Sequence, residues 1–286
     1  MPASTIAILA IYFGFAALEL ARSNLFAKPE QTRDDAVVEA VSMTMLLAVT
    51  QPAIVFASGA IAHWLAPQWA GALTNLNVLA GLALFLVLDD MTQYWWHRAS
   101  HMTHWLYNLH RAHHDGRYMS VRLVYRNNLF YYAMMPGLWL SGLLVYLGLG
   151  WVYAGYVVVK MAVIIGAHSD VAWDAPLYRI KWLSPVMWVV ERTISTPATH
   201  HAHHGRHDDD PAVHYRGNFG NLLFFWDVLF GTARITRSYP KSYGVENLAP
   251  ATLGQQLMWP IFPENHVFPE NKIASSAGEE AAARAA

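Results

Sequence analysis

Val78-Leu-Ala-Gly-Leu-Ala-Leu-Phe-Leu-Val-Leu88-Asp89-Asp90-Met-Thr-Gln-Tyr-Trp-Trp-His97-Arg-Ala-Ser-His101 is the stretch that decides how this chain folds. A clean apolar run over 78–88 passes into two carboxylates, three aromatic rings and then two histidines four residues apart. Residues four apart share one face of an α-helix, so a single helix carries an apolar segment and presents two imidazoles at its end. The same character recurs on either side. Apolar spans cover about 5–21, 37–62, 76–96, 129–149 and 151–168, each near the roughly 20 residues that cross a hydrocarbon core. Glu19 near the end of the first span and the short clean run in the third allow those two to be tilted or partly interfacial.

Composition agrees with a membrane protein. Of 286 residues, 55% are hydrophobic and 14% charged, against roughly 25% charged in ordinary soluble domains. A net charge of −1 offers no basic face for nucleic acid. The expected fold is an all-α, polytopic bundle of about five spans with a cytosolic helical cap. It is expected to form one domain over 1–270, with 271–286 a disordered tail that has no hydrophobic face. The first residues lack the basic start and cleavage site of a secretory signal, which makes the first span a retained anchor.

Loop charges set an orientation. The 22–36 loop holds Arg22, Lys28 and Arg33, whereas the 63–75 loop holds neither lysine nor arginine, so the former is expected in the cytoplasm. By alternation, with a hairpin at Gly148-Leu149-Gly150, the third span ends inside near His97 and the fifth near His168. His63 falls on the opposite side.

Three clusters then converge on the cytosolic side: His97 and His101; His110, His113 and His114; His200, His203 and His204. Eight imidazoles exceed the four to six donors of one first-row ion, so the natural product is a two-metal site. The chain has no cysteine, which excludes iron–sulfur clusters and thiolate-ligated haem. His168, at the end of the fifth span, is the ninth candidate, since an ionisable group at the edge of a bundle is functional by default. His104 continues the 97/101 stripe and His207 the 200/203/204 stripe, although Gly205 weakens any continued helix there. His201 points about 100° away from its neighbours on an ideal helix. These three are secondary candidates, and His214 and His266 read as surface residues.

The run from Asp90 to His101, then His110-Arg-Ala-His113-His114, Thr196-Pro197-Ala-Thr-His200-His-Ala-His203-His204, Asn218-Phe219-Gly220 and Trp226-Asp227-Val-Leu-Phe230-Gly231-Thr232 resembles the fatty acid hydroxylase / sterol desaturase superfamily. The match covers roughly 90–232, and His168-Ser-Asp with Thr196-Pro-x-x-His-x-x-His-His-Gly-Arg is similar to its alkylglycerol monooxygenase-like branch. The resemblance implies a membrane di-iron enzyme that uses O2 on a lipid, with its metals on the cytosolic side. Hydroxylation is favoured, while desaturation remains open because one metal site can serve both. Zinc is expected to enter purified material readily.

A ligating imidazole usually gives its other N–H to a carboxylate, carbonyl or water. Asp90, Asp170 and Asn218 are the expected supporting groups, with Asp208, Asp209 and Asp210 as further candidates or a solvated turn. Asp90 is also expected to pair with Lys160, with Asp89 as the alternative, because both lie at similar depth. Tyr94, Trp95, Trp96, Trp105, Tyr107, Trp182 and Trp188 read as an interfacial belt. The segment 182–191 reads as an interfacial helix and a lateral gate for lipid. Arg122 and Arg126 are expected at lipid head groups or phosphates.

Two other classes fit less well. A zinc hydrolase usually carries His-Glu-x-x-His, absent here, and a transporter or metal sensor predicts ligands near mid-membrane. No flavin or nicotinamide fingerprint is evident, so electrons are expected from a separate cytochrome or ferredoxin with an NAD(P)H reductase. Arginine outnumbers lysine 14 to 5, and no Lys-Asp-Glu-Leu type address is present. Both favour a bacterial inner membrane.

Overall fold

The computed structural model describes residues 2–263 apart from 23, 24, 27 and 29. The expected tail and His266 lie outside the described residues. Among those described there are helices, turns and one isolated bridge between Gly205 and Tyr243, and no strand. Three apolar helices long enough to cross a membrane come first: Ala3–Arg22 (α1), Arg33–Leu65 (α2) and Val78–Met102 (α3). A short helix, His104–His114 (α4), comes after a break at Thr103, whose φ of −118° and ψ of 120° are extended. The fourth apolar stretch, Pro136–His168, is interrupted at Gly148, where φ is +104°. That left-handed backbone favours glycine, and it divides the stretch into Pro136–Leu144 (α5) and Gly150–His168 (α6).

The two limbs fold back on one another. A Cβ on Gly137 of α5 would meet Asp89 Oδ1 at 2.8 Å, and Lys160 of α6 reaches Asp89 Oδ2 at 2.6 Å, so both limbs flank the same point on α3. The hairpin is where the sequence places it. The expected span 129–149 is not one helix, however. Leu129–Ala133 forms a separate turn capped by Asn128, and Pro136 starts α5 afresh because proline has no N–H to continue a ladder.

Close approaches hold the bundle. Gly142 lets α5 lie against Ser58 of α2, the small-residue contact by which helices approach in lipid. Gly166 of α6 packs on Phe15 of α1. Phe85, Leu144, Leu149, Val152 and Tyr156 fill the space between α3 and the hairpin. Glu19 of α1 is fully buried and accepts hydrogen bonds from Ser120 Oγ, Val121 N, Ser169 Oγ and Asp170 N. It thereby ties the first helix to the cap and to the end of α6.

Wide, π-type turns interrupt α2 and α3. Leu46–Thr50 precedes Pro52 in α2, and Leu86–Met91 contains both Asp89 and Asp90 in α3. Such turns add one residue to a helical turn and rotate the side chains beyond it about the helix axis.

The cap contains α4, then Ser184–Thr193 (α7), Pro197–His204 (α8), Phe225–Phe230 (α9) and Leu253–Met258 (α10). Helix α8 starts sharply: Thr196 forms a capping box with Thr199, Pro197 occupies the first turn, and Asp174 Oδ2 accepts from Ala198 N at 3.0 Å. Trp182, Val186, Trp188 and Val189 of the α7 region are largely exposed, as an interfacial helix requires. The aromatic belt is divided, because Tyr94 and Tyr107 are buried within the protein while Trp95, Trp105, Trp182 and Trp188 face outward.

Candidate metal centre

Nine imidazoles meet where α3, α4, α6 and α8 end together. They form two groups: His97, His101, His110, His114 and His203 in one, His113, His168, His200 and His204 in the other. Within each group the available ring nitrogens lie within 4.8 Å of one another. Every one of the nine rings is 6% exposed or less. The groups adjoin, since His113 lies between His110 and His114 on α4 and the His114 and His204 rings stack at 4.4 Å.

The fixed tautomers show what these rings are arranged to hold. Nδ1 of His97 lies 2.7 Å from Phe219 O, that of His203 2.8 Å from Gly217 O, that of His168 2.8 Å from Ile164 O and that of His113 3.1 Å from Arg126 O. A carbonyl only accepts, so Nδ1 carries the proton in each and Nε2 keeps its lone pair. His110 Nδ1 meets Asn127 Oδ1 at 2.9 Å in the same way. Yet His97 Nε2 faces His203 Nε2 at 3.0 Å, and His113 Nε2 faces His168 Nε2 at 3.3 Å. Two lone pairs at that distance cannot share a hydrogen bond; a cation between them reconciles the contact. Nitrogens that bound one ion would be held about 3 Å apart. His168–His200, His110–His114 and His200–His204 have Nε2 separations of 2.9, 3.2 and 3.2 Å. Nδ1 of His114, His200 and His204 is buried without a protein hydrogen-bond partner. The donor set fits metal.

Electrostatics agree. Burial pushes the pKa values of His110, His113, His114, His200, His203 and His204 well below 6.5, and repulsion from neighbouring imidazoles adds to it. These rings are neutral at physiological pH, the form that binds metal.

Three secondary candidates fall outside both groups. The break at Thr103 ends the 97/101 stripe and leaves His104 exposed. The chain leaves helix α8 at Gly205, and His207 lies in a turn, 3.1 Å from Glu246. Both nitrogens of His201 are engaged, Nε2 donating to Ser169 O and Nδ1 accepting from Tyr243 OH, each at 3.0 Å. Burial lowers its pKa to about 4. His214 is half-buried, with Nε2 3.2 Å from Thr232 O, and His63 is exposed beside the Tyr146 ring.

The expected Asp90–Lys160 pair is corrected: Lys160 pairs with Asp89 at 2.6 Å. The wide turn at 86–91 is the reason. It spreads the two turns below His97 over eight residues rather than seven, so Asp89 takes the face that a regular helix gives to Asp90. Asp90 instead accepts from Leu222 N, Leu223 N and Trp226 Nε1 at 3.3, 3.1 and 2.8 Å. It anchors the loop beside the site. Removing either member of the buried Lys160–Asp89 pair alone would strand a charge, at a cost of about 3–5 kcal/mol.

Asp170 pairs with Lys28 at 2.7 Å, which takes Lys28 out of the solvated loop charges. Asn218 acts through the backbone. Its Nδ2 donates to Thr199 O and Arg234 O, its Oδ1 accepts from Arg234 N, and its φ is +58°. The left-handed residue lies between Gly217 and Phe219, whose carbonyls receive His203 and His97. Asp227 accepts Phe219 N, Gly220 N and Thr232 Oγ1, which fixes that loop from behind. Arg126 and Arg122 are not at lipid phosphates: Arg126 is fully buried and pairs with Asp35 at 2.7 Å, and Arg122 pairs with Glu39 at 3.2 Å. Asp210 caps a turn through Ala212 N and Lys241 N.

Sequence reading missed Asn127 and the four carbonyl acceptors. The polar triplet Arg126-Asn127-Asn128 beside an apolar segment was the one visible signal.

A cavity of about 970 Å³, counting the space at its mouth, extends from these rings into the bundle. His97, His110, His113 and His168 line one end, and Ile164, Val157 and Tyr153 continue it along one face of α6. Fifteen residues of helix separate His168 from Tyr153, about 22 Å.

Residues 82–232, more than half of the chain, match the family model described as fatty acid hydroxylase, and the chain belongs to that family. It is also similar to the alkylglycerol monooxygenase of Danio rerio, 25% identical over 170 residues, which cover 59% of this chain and 32% of that protein. The chain thus spans about a third of the length of the curated relative it matches. No solved structure matches it. The resemblance carried by the histidine boxes and by 218–232 is borne out, and the relative agrees with the branch suggested by 168–170 and 196–206. The four apolar helices and the family together make this an integral-membrane, all-helical protein of a lipid-acting oxidoreductase family.

Proposed function

We propose that the protein is a non-haem di-iron monooxygenase that uses O2 and two electrons to hydroxylate a C–H bond of a membrane lipid, with fatty acyl, sterol and alkylglycerol-type lipids as the candidate classes. The observation that carries this reading is the convergence of nine buried imidazoles, in two adjoining groups, on one end of a largely apolar cavity. All nine are proposed as ligands. Iron bound there supplies the activation of dioxygen that an unactivated C–H bond requires.

The chain's own residues do the rest. Phe219, Gly217, Ile164 and Arg126 hold the Nδ1 protons of four rings through their carbonyls, and Asn127 holds a fifth, so Nε2 of each points into the site. Val124, Met135, Leu138 and Met161 line the adjoining cavity, which excludes water from the oxidation and gives a hydrocarbon chain its place. Electrons are supplied by a separate cytochrome or ferredoxin with its NAD(P)H reductase. We assign the protein to a bacterial inner membrane with the site facing the cytoplasm.

The test is product analysis. Membrane lipids of an aerobic host lacking the protein, with a competent reductase, are compared by mass spectrometry with and without the intact protein and with His113→Ala. One added oxygen that depends on His113 is expected; an alkene or an aldehyde would reassign the reaction to desaturation or ether cleavage. Lipids identical in all three cultures would overturn the oxygenase reading.

A further inference from the structure

The cavity contains a polar cluster that the metal centre does not use. Lys160 and Asp89 line it, together with Gln93. Lys160 is 7% exposed and Asp89 2%. The Lys160 ammonium donates to Asp89 Oδ2 and lies 5.7 Å from the centroid of the Tyr156 ring. An ammonium has three N–H groups, and among the described residues Asp89 is the one acceptor it meets. Donor capacity therefore remains in an otherwise largely apolar space. Acceptor capacity remains too, because Gln93 Oε1 and Asp89 Oδ1 are both buried without a hydrogen-bond partner. Gln93 lies one helical turn from Asp89 toward His97.

Unused donors and acceptors lining one cavity are the complement of a hydroxyl, which accepts one hydrogen bond and gives another. Asp89 already neutralises Lys160, so a carboxylate entering the cavity would add an unbalanced negative charge in a low-dielectric place. A neutral hydroxyl adds none. We propose that Lys160 and Gln93 bind the hydroxyl group of a neutral lipid alcohol, and so select the substrate of the oxidation proposed above. Gln93 is four residues from His97 and Lys160 eight from His168, which sets the hydroxyl about 6 to 12 Å along the helices from the imidazoles. The carbon attacked is remote from the hydroxyl-bearing one. This inference rests on the reading of the cavity as the lipid site of the proposed oxygenase.

Binding to metal-depleted protein tests it separately from oxidation. Radiolabelled 1-hexadecanol and hexadecane are titrated, at equal mole fraction in detergent micelles, into the full-length protein. The alcohol is expected to bind about tenfold tighter than the alkane, as hydrogen bonds to a charged donor allow. That ratio is expected to fall to about one in Gln93→Leu and in the charge-balanced pair Asp89→Asn/Lys160→Met, while alkane binding stays unchanged. Gln93→Leu leaves the ion pair intact and decides the matter alone if the double variant does not fold. A ratio of one in the native protein, or a tenfold ratio that survives Gln93→Leu, would overturn the proposal. Either outcome is independent of whether the metal-loaded protein oxidises lipid.

Discussion

Asn127 is a side chain that aims another. Its Oδ1 accepts the His110 Nδ1 proton, and its Nδ2 donates to Tyr132 OH at 3.1 Å. Asn127→Leu keeps the size but removes the acceptor, and loss of such a partner weakens metal binding by about 10- to 100-fold. A metal-buffered titration should show that loss, and native affinity in the variant would contradict it. His201→Phe should behave oppositely. Its nitrogens serve Ser169 and Tyr243, so metal per protein, measured by elemental analysis, should be unchanged. The contrast marks what was legible at this scale. Imidazoles at three- and four-residue spacing had to be side chains, and the sequence displays them. Their acceptors at 126, 164, 217 and 219 are main-chain oxygens, which every residue owns, and no reading of side chains could have picked them out.

Among the helices, the sharpest constraint is at Gly142. A Cβ there would stand 1.9 Å from Ser58 Oγ and 3.0 Å from Ser58 Cβ. The hydroxyl can rotate away but Ser58 Cβ moves only with its backbone, so Gly142→Ala should push α5 from α2 and destabilise the protein by about 1–3 kcal/mol. Thermal unfolding in detergent checks this, and an unchanged midpoint would refute it. The apolar helices were legible in outline because the hydrophobic run that a bilayer demands is a crude and strong pattern. The wide turn at Leu86–Met91 was not. It carries no signature residue, and by changing the helical period it swapped the roles of Asp89 and Asp90. The break before Pro136 could have been anticipated from the proline itself. The burial of Arg126 against Asp35 depends on how α2 meets the cap, which no local pattern encodes.

For the molecule as a whole, the assembled histidines impose a pH dependence. In metal-free protein, burial first, then mutual repulsion, holds six of the rings well below 6.5, and burial brings His201 to about 4. Unfolding returns each to an ordinary value near 6.5. The unfolded chain then takes up protons that the folded one refuses, so the contribution is complete above about pH 6.5 and is lost as pH falls toward 4. The unfolding midpoint of metal-depleted protein should be level down to about pH 6.5 and decline below it, and a level profile down to pH 4.5 would count against the buried, neutral cluster. The two groups also draw on distant parts of the chain. His97 and His203 are 106 residues apart, and neither group is whole without the third box. A ribosome that has reached Thr196 has laid down six of the nine imidazoles and closed neither group. On the proposed reading, metal can be enclosed only once residues 200–204 have emerged, and whatever delivers it meets a polypeptide whose bilayer segments have already been synthesised.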